Sequence, residues 1–247
     1  MAGKHGKPLI IPFGTSNPEK ATAVAEQRRA EGDANSTNII TIDTSNTPPL
    51  RLHHGPYDFR ATPGLGTASD TDTRLQLIQD HLHALCDLWT KSQHGFIDSY
   101  FGFINSALAE NRDALTKTLA DYDGLYHYRD WAFSALRPLP RAQIPVEGGT
   151  FVATDCAFWT GRELIAIDLT GFQTPTKSRR AELQVLRKSG VTIIEAASAD
   201  LAKDGARYLE SLLPETFGLF WKGEVLPQSP FKPAAIAENV AVGGVRF

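Results

Sequence analysis

Two apolar segments that each carry an aspartate constrain the fold of this chain more than any other feature. In residues 151–159 and 163–169, apolar side chains alternate in the pattern of β-strands, and a short turn joins the two segments. Asp155 lies within the first segment and Asp168 near the end of the second, although strands favour Val, Ile, Thr and aromatic residues. Residues that contradict the local preference for secondary structure often mark a functional site, so these aspartates are the first candidate site residues.

Two carboxylates on neighbouring strands can converge on one divalent cation. Mg²⁺ and Mn²⁺ prefer oxygen ligands, and a cation held by Asp155 and Asp168 suits the hydrolysis of a phosphodiester. The two residues also have a simpler interpretation, in which each carboxylate stands at a strand end and pairs with Arg162 or with an arginine of the following helix. The pattern of the two segments alone does not decide between these interpretations.

The composition excludes several other classes of protein. The 247 residues carry a formal net charge of −3, which gives no overall attraction to nucleic acid or to an anionic membrane, so any basic surface is local. No apolar run approaches the ~18 residues of a membrane-spanning helix, and the N-terminus lacks a signal-like region. The two cysteines, Cys86 and Cys156, are far apart and lack metal-ligand spacing. We therefore predict a cytoplasmic protein with no membrane association, and the sequence leaves its oligomeric state open.

Four regions follow one another along the chain. The first contains predicted strands at 9–13 and 39–42 with a helix at 18–30 between them, and prolines and glycines then interrupt residues 46–73. Apolar residues at helical spacing mark the second region, and strand and helix patterns alternate in the third. The predicted regions are an irregular N-terminal region with short strands (1–72), a helical segment (73–120), an α/β domain (121–213) and a C-terminal tail (214–247).

The α/β domain has a characteristic order of elements. A helix comes first, three strands follow, and a helix, a strand and a last helix complete it. The predicted elements are a helix at 125–136, strands at 143–146, 151–159 and 163–169, a helix at 175–189, a strand at 191–196 and a helix at 199–213.

This order and the acids on it resemble the PD-(D/E)xK nuclease superfamily, in its very-short-patch-repair-like branch, over residues 125–213. The resemblance implies an α/β fold with a restriction-endonuclease-like mixed central sheet flanked by helices, preceded here by an irregular and helical N-terminal extension. It also implies a Mg²⁺- or Mn²⁺-dependent hydrolase whose partner is nucleic acid, in the first place DNA.

The resemblance assigns roles to individual residues. The family places one acid on a helix before the sheet, one on the second strand and one on the following strand, and Asp130, Asp155 and Asp168 match these metal-binding positions. One spacer after the last acid the family usually has Lys, whereas this chain has Thr170. Thr170 cannot supply the positive charge that orients or activates the attacking water. Three nearby residues are candidates to replace it: Gln173, Lys177 and Arg180.

The helix after the second aspartate is basic. Its sequence KSRRAELQVLRK places Arg180 and Arg187 about two turns apart on one face, and with Arg179 they are the predicted contacts to nucleic-acid phosphates. The alternative for this helix is an ordinary solvated face on which Glu182 pairs with Arg179.

Two further hypotheses about function stay open at the level of sequence. Thr170 and the acidic net charge also fit a catalytically inactive nuclease fold that serves as a nucleic-acid- or protein-binding module. In a third hypothesis the helices of residues 74–119 form a partner interface, and the α/β domain is structural.

Overall fold

A mixed sheet forms from the apolar segments of the chain. The computed structural model describes residues 9–30, 38–42, 58–67, 70–88, 90–122, 125–170, 175–222 and 226–227. The strands are β1 (Leu9–Pro12), β2 (Ile39–Ile42), β3 (Leu139–Pro140), β4 (Gln143–Pro145), β5 (Phe151–Ala153), β6 (Cys156–Trp159), β7 (Leu164–Thr170) and β8 (Thr192–Ala197). The predicted mixed α/β architecture is confirmed.

Some of the helices begin where a side chain accepts a hydrogen bond from one of the first free backbone N–H groups. The Asp70 carboxylate accepts from the Thr73 N–H at 2.8 Å, and the Thr176 hydroxyl accepts from the Arg179 N–H at 3.2 Å. The α-helices are α1 (Pro18–Ala30), α2 (Thr71–Leu85), α3 (Lys91–Glu110), α4 (Arg112–Thr118), α5 (Lys177–Lys188) and α6 (Ser198–Leu212). Short 3₁₀ helices are Phe59–Ala61, Leu65–Thr67, Ala120–Tyr122, Tyr128–Ser134 and Glu215–Phe217.

The central sheet has the strand order β3-β6-β7-β8. β6 pairs antiparallel with β3 and with β7, while β8 runs parallel to β7. A parallel neighbour requires a crossover connection, and α5 provides it between β7 and β8. The predicted order from 163 onward, strand–helix–strand–helix, is therefore confirmed, with boundaries within about two residues of the expected ones.

The strand predicted at 151–159 is wrong in one respect, because it is divided into β5 and β6. Pro140 pairs with Cys156 and Gln143 with Ala153, so a single register runs through both strand pairs, β3–β6 and β4–β5. The ladder is interrupted between them, where Arg141 has a φ of 52°. Asp155 consequently lies between two strands and not inside one.

The helix predicted at 125–136 is also corrected. Residues Tyr128–Ser134 form a 3₁₀ helix, which the His127 ring and the Asp130 carboxylate cap reciprocally. Residues 130–134 are all buried, so this segment has no solvent-exposed face and lacks the one-sided burial that stabilises an amphipathic α-helix.

Close packing of α3 against α6 fixes the position of α3 beneath the sheet. A Cβ on Gly102 would lie 3.2 Å from the Ala206 Cβ, and a Cβ on Gly205 would lie 1.9 Å from the Ser99 Oγ. The fully buried Tyr100 donates its hydroxyl hydrogen to the Leu136 carbonyl at 2.9 Å and so joins α3 to the segment before β3. None of the helices among the described residues is long and apolar enough to span a bilayer.

Candidate active site

Asp155 and Asp168 face each other at one end of the β6–β7 pair. Cys156 pairs with Ile167, and continuing that antiparallel register by one residue places Asp155 opposite Asp168. Both residues line a pocket of about 450 Å³, to which α3, the β3–β4 connection and α5 also contribute. The structure thus brings together the two carboxylates that the sequence predicts to share a site.

Arg179 on α5 binds Asp168 directly. Its Nε donates to Asp168 Oδ1 at 2.8 Å, and its Nη2 contacts the same oxygen. Its Nη1 donates to the Ala153 carbonyl at 2.8 Å and to Glu182 Oε2 at 3.0 Å. Burial lowers the pKa of Arg179, but the hydrogen bonds to Asp168 and Glu182 outweigh burial, and the net change is upward. Asp168 therefore has a permanent cation in contact with one of its oxygens.

Asp155 is held by neutral donors instead. Its Oδ1 accepts from the Gln93 side-chain amide at 3.1 Å, and its Oδ2 accepts from the Leu169 N–H at 2.8 Å. Burial raises the pKa of the Asp155 carboxyl, and the hydrogen bonds from Gln93 and Leu169 oppose that rise only in part. The two acids of the pocket thus differ, because one has a contacting counter-charge and the other has none among the described residues.

The other predicted catalytic residues are placed less centrally. Thr170 ends β7 and pairs with Ala197 of β8, and Gln173 lies outside the described residues. Lys177 begins α5 and is exposed. Asp130 is not at the pocket: its Oδ1 accepts from the Thr71 hydroxyl at 2.6 Å and its Oδ2 from the His127 N–H at 2.9 Å.

The three predicted nucleic-acid contacts on α5 separate into different environments. Arg179 enters the pocket, because it precedes the buried Leu183 by four residues and so lies on the inner stripe of the helix. Arg180 is exposed. Arg187 Nη2 donates to Glu195 Oε1 on β8 at 2.9 Å, and both of these side chains are about half exposed.

Several residues of the pocket were not predicted from the sequence. Gln93 comes from the first turn of α3, and Pro175 precedes α5. Arg141 comes from the connection between β3 and β4, and Gln143 begins β4. Gln93 is buried and holds two groups, since its Oε1 also accepts from the Asp87 N–H at 3.0 Å. Nothing in the sequence around Gln93 distinguishes it from other polar residues on α3, because its role depends on a contact 62 residues away.

The donor set of the pocket fits a hard divalent cation. Mg²⁺ is typically bound through one or two carboxylates and keeps several waters. Asp168 Oδ2 accepts no hydrogen bond from any residue that the structure describes, and each Asp155 oxygen accepts only one. A carboxylate oxygen has two lone pairs, so both acids retain the capacity to bind a cation. No group of three or more His, Cys, Asp or Glu ligands is present in the described residues.

A larger cavity of about 800 Å³ lies between α3, α6 and the segment after α6. It is lined by Glu110, Glu210 and Glu215 among others and includes no predicted site residue. The smaller pocket is the better candidate because its polar groups converge on two opposed carboxylates.

Comparisons of the chain with protein-family models, with curated proteins and with solved structures found no match.

Proposed function

We propose that the chain is a metal-dependent nuclease that hydrolyses phosphodiester bonds of DNA on a restriction-endonuclease-like fold. The observation that carries this proposal is the opposition of Asp155 and Asp168 across neighbouring antiparallel strands inside one pocket. The order of strands supports it, since Asp155 directly precedes the second strand of the sheet, Asp168 lies on the third, and α5 crosses from the third to the fourth.

In this proposal Asp155 and Asp168 would hold Mg²⁺ or Mn²⁺, with the Leu169 carbonyl as a further oxygen donor. A cation bound there would neutralise a scissile phosphate and acidify a bound water. Arg179 supplies the positive charge that Thr170 lacks. Its guanidinium is oriented by Asp168 and the Ala153 carbonyl, so it is preorganised to stabilise negative charge on a phosphate in the pocket.

The first test is a cleavage assay on plasmid, linear and single-stranded DNA and on RNA, with Mg²⁺, Mn²⁺ or EDTA. We expect metal-dependent products with the wild-type protein and none with Asp155→Asn or Asp168→Asn. Glu147→Gln is the matched control, because Glu147 is an exposed acid in the turn between β4 and β5 and does not line the pocket. Cleavage that survives both aspartate substitutions would refute the site assignment.

A second function is favoured by one specific observation. Arg179 already neutralises Asp168, and the position of the usual Lys is Thr170, so the pocket can be stable without a metal. The chain would then be a catalytically inactive nuclease fold that binds nucleic acid or protein. Calorimetric titration with Mn²⁺ separates the two, because the nuclease requires binding that Asp155→Asn and Asp168→Asn abolish, and the inactive fold requires none.

A further inference from the structure

Arg141 has a backbone conformation that its side chain makes unfavourable. Its φ of 52° lies in the left-handed region, and no other non-glycine residue among those described has a positive φ. Glycine adopts this conformation without strain, and asparagine adopts it more readily than arginine. A residue other than glycine or asparagine tends to persist in this strained conformation where its side chain has a function.

The backbone at Arg141 does not require an arginine. Its N–H donates to the Asp155 carbonyl at 2.9 Å, and the next carbonyl, that of Ala142, accepts from the Thr154 N–H at 2.9 Å. A glycine or an asparagine would make the same backbone hydrogen bonds with less strain. The local structure therefore gives no reason for a long cationic side chain at this position.

The position of Arg141 relative to the acids gives such a reason. The shared register of β3–β6 and β4–β5 places Arg141 opposite Asp155, which in turn lies opposite Asp168. Arg141 lines the pocket with both acids and is half-buried. Its charge also reaches the neighbouring end of α2: burial raises the pKa of the Cys86 thiol to about 12, and Arg141 opposes that rise.

Arg141 differs from Arg179 and Arg187, the two arginines of α5 that are paired with acids of the sheet. Arg179 is paired with Asp168 and Arg187 with Glu195, whereas Arg141 makes no side-chain hydrogen bond or ion pair with the residues that the structure describes. A half-buried guanidinium without a counter-charge has five donors available for an anion, in a planar arrangement that matches two phosphate oxygens.

We propose that Arg141 binds a backbone phosphate of the nucleic-acid strand that enters the Asp155–Asp168 pocket. This inference rests on the proposed function, since it takes nucleic acid as the ligand of the pocket. It adds a substrate-binding residue on the β3–β4 connection to a pocket whose other arginine, Arg179, comes from α5. Arg179 is paired with Asp168, whereas Arg141 is a cation of the same pocket that pairs with no described residue.

The test is fluorescence anisotropy with labelled single-stranded and duplex DNA and RNA, in EDTA so that no cleavage occurs. Arg141→Asn and Arg141→Gly remove the guanidinium and relieve the backbone, and Arg141→Lys keeps the charge. We expect Arg141→Asn and Arg141→Gly to bind the preferred nucleic acid about tenfold more weakly. The slope of the logarithm of affinity against the logarithm of salt concentration should also decrease by about one, the value for one phosphate contact. Arg141→Lys should keep the salt dependence and lose part of the affinity, because it cannot bind a phosphate bidentately.

The melting temperature distinguishes binding from a structural role. Arg141→Asn and Arg141→Gly should melt at or above the wild-type temperature, since they relieve strain. Arg162→Asn is the matched control, because Arg162 is exposed in the turn between β6 and β7, at the opposite end of these strands from the acids, and should leave affinity unchanged. Affinity equal to that of the Arg162→Asn control, or a lower melting temperature together with weaker binding, would overturn the proposal.

The outcomes also separate this inference from the proposed nuclease. Arg141-dependent binding by a protein that cleaves nothing would support the inference and reject catalysis. Metal-dependent cleavage, together with an affinity that does not change when Arg141 is substituted, would support the nuclease and reject the inference. A wild-type protein that binds none of the four nucleic acids would reject the inference as well.

Discussion

Replacing Arg179 with Met should destabilise the protein by about 2–3 kcal/mol. The Asp168 side chain is 8% exposed and Arg179 is 23% exposed, so the substitution leaves a nearly buried carboxylate without its counter-charge. Removing one partner of a fully buried pair typically costs about 3–5 kcal/mol, and the opening of the pocket to water reduces that figure here. Loss of the hydrogen bond to the Ala153 carbonyl adds to the cost, whereas the bond to the 44%-exposed Glu182 adds little.

Urea unfolding of a double-mutant cycle measures this prediction. Arg179→Met should cost much less in a chain that already carries Asp168→Asn, giving a coupling energy of about 1.5–2 kcal/mol. Arg187→Met is the matched control: it breaks an equivalent pair on the same helix, but Arg187 and Glu195 are 50% and 49% exposed, so its cost should stay below about 1 kcal/mol. Equal costs for Arg179→Met in the two backgrounds would refute the reasoning.

The same variant tests whether a metal uses Asp168. Arg179 and a divalent cation both gain from the negative charge of Asp168, so removing the guanidinium removes a competitor. If the proposed nuclease is correct, Mg²⁺ or Mn²⁺ should stabilise Arg179→Met more than the wild-type protein, by an amount that grows with the logarithm of metal concentration. The added stability should disappear when Asp168→Asn is combined with Arg179→Met. Metal that stabilises neither protein would favour the inactive binding fold.

Two further predictions concern the structure around the site. Gly205→Ala should lower the free energy of unfolding, measured in urea, by about 1–3 kcal/mol, because the new Cβ would clash with the Ser99 side chain. Adding Ser99→Gly to the same chain should recover most of that loss. A Gly205→Ala protein as stable as the wild type would contradict this packing. Burial lowers the pKa of His81, and the nearby Arg137 lowers it further. The His81 imidazole therefore binds a proton more readily in the unfolded chain than in the folded protein. The free energy of unfolding should therefore fall as the pH drops below about 6.5. In His81→Leu the melting temperature should depend less on pH in that range. An unchanged slope in His81→Leu would show that other titratable groups cause the loss of stability.

The sequence predicted regular elements well where burial has a simple period. α5 and α6 each bury one stripe, and β7 is an almost continuous apolar run, so their patterns indicate both type and position. The segment Tyr128–Ser134 escaped prediction as a 3₁₀ helix because burial of five successive residues removes that period. The division between β5 and β6 was also hidden, since it follows from the backbone of Arg141, and an arginine in sequence gives no sign of a positive φ.

The sequence predicted the two acids of the candidate site, but it did not predict which groups surround them. Asp155 and Asp168 stood out as carboxylates in apolar segments, which is a local signal. Which arginine reaches Asp168 depends on the rotation of α5 above the sheet. Arg180 and Arg187 share a helical face by spacing, yet it is Arg179, four residues before the buried Leu183, that enters the pocket.

Asp155 is the residue whose presence the fold explains least. Asp168 and Glu195 each neutralise an arginine of α5, so their charges stabilise the packing of that helix on the sheet. Asp155 makes no ion pair with any described residue, and burial raises the pKa of its carboxyl. The contribution of such a group to stability is present below the ordinary carboxyl pKa and is lost as the pH rises through the raised value, so ionised Asp155 weakens the fold at neutral pH. The proposed function gives a reason for this charge. Asp155 lies opposite a second carboxylate and near Arg141, which pairs with no residue that the structure describes, and a ligand that carries charge of its own would compensate these groups.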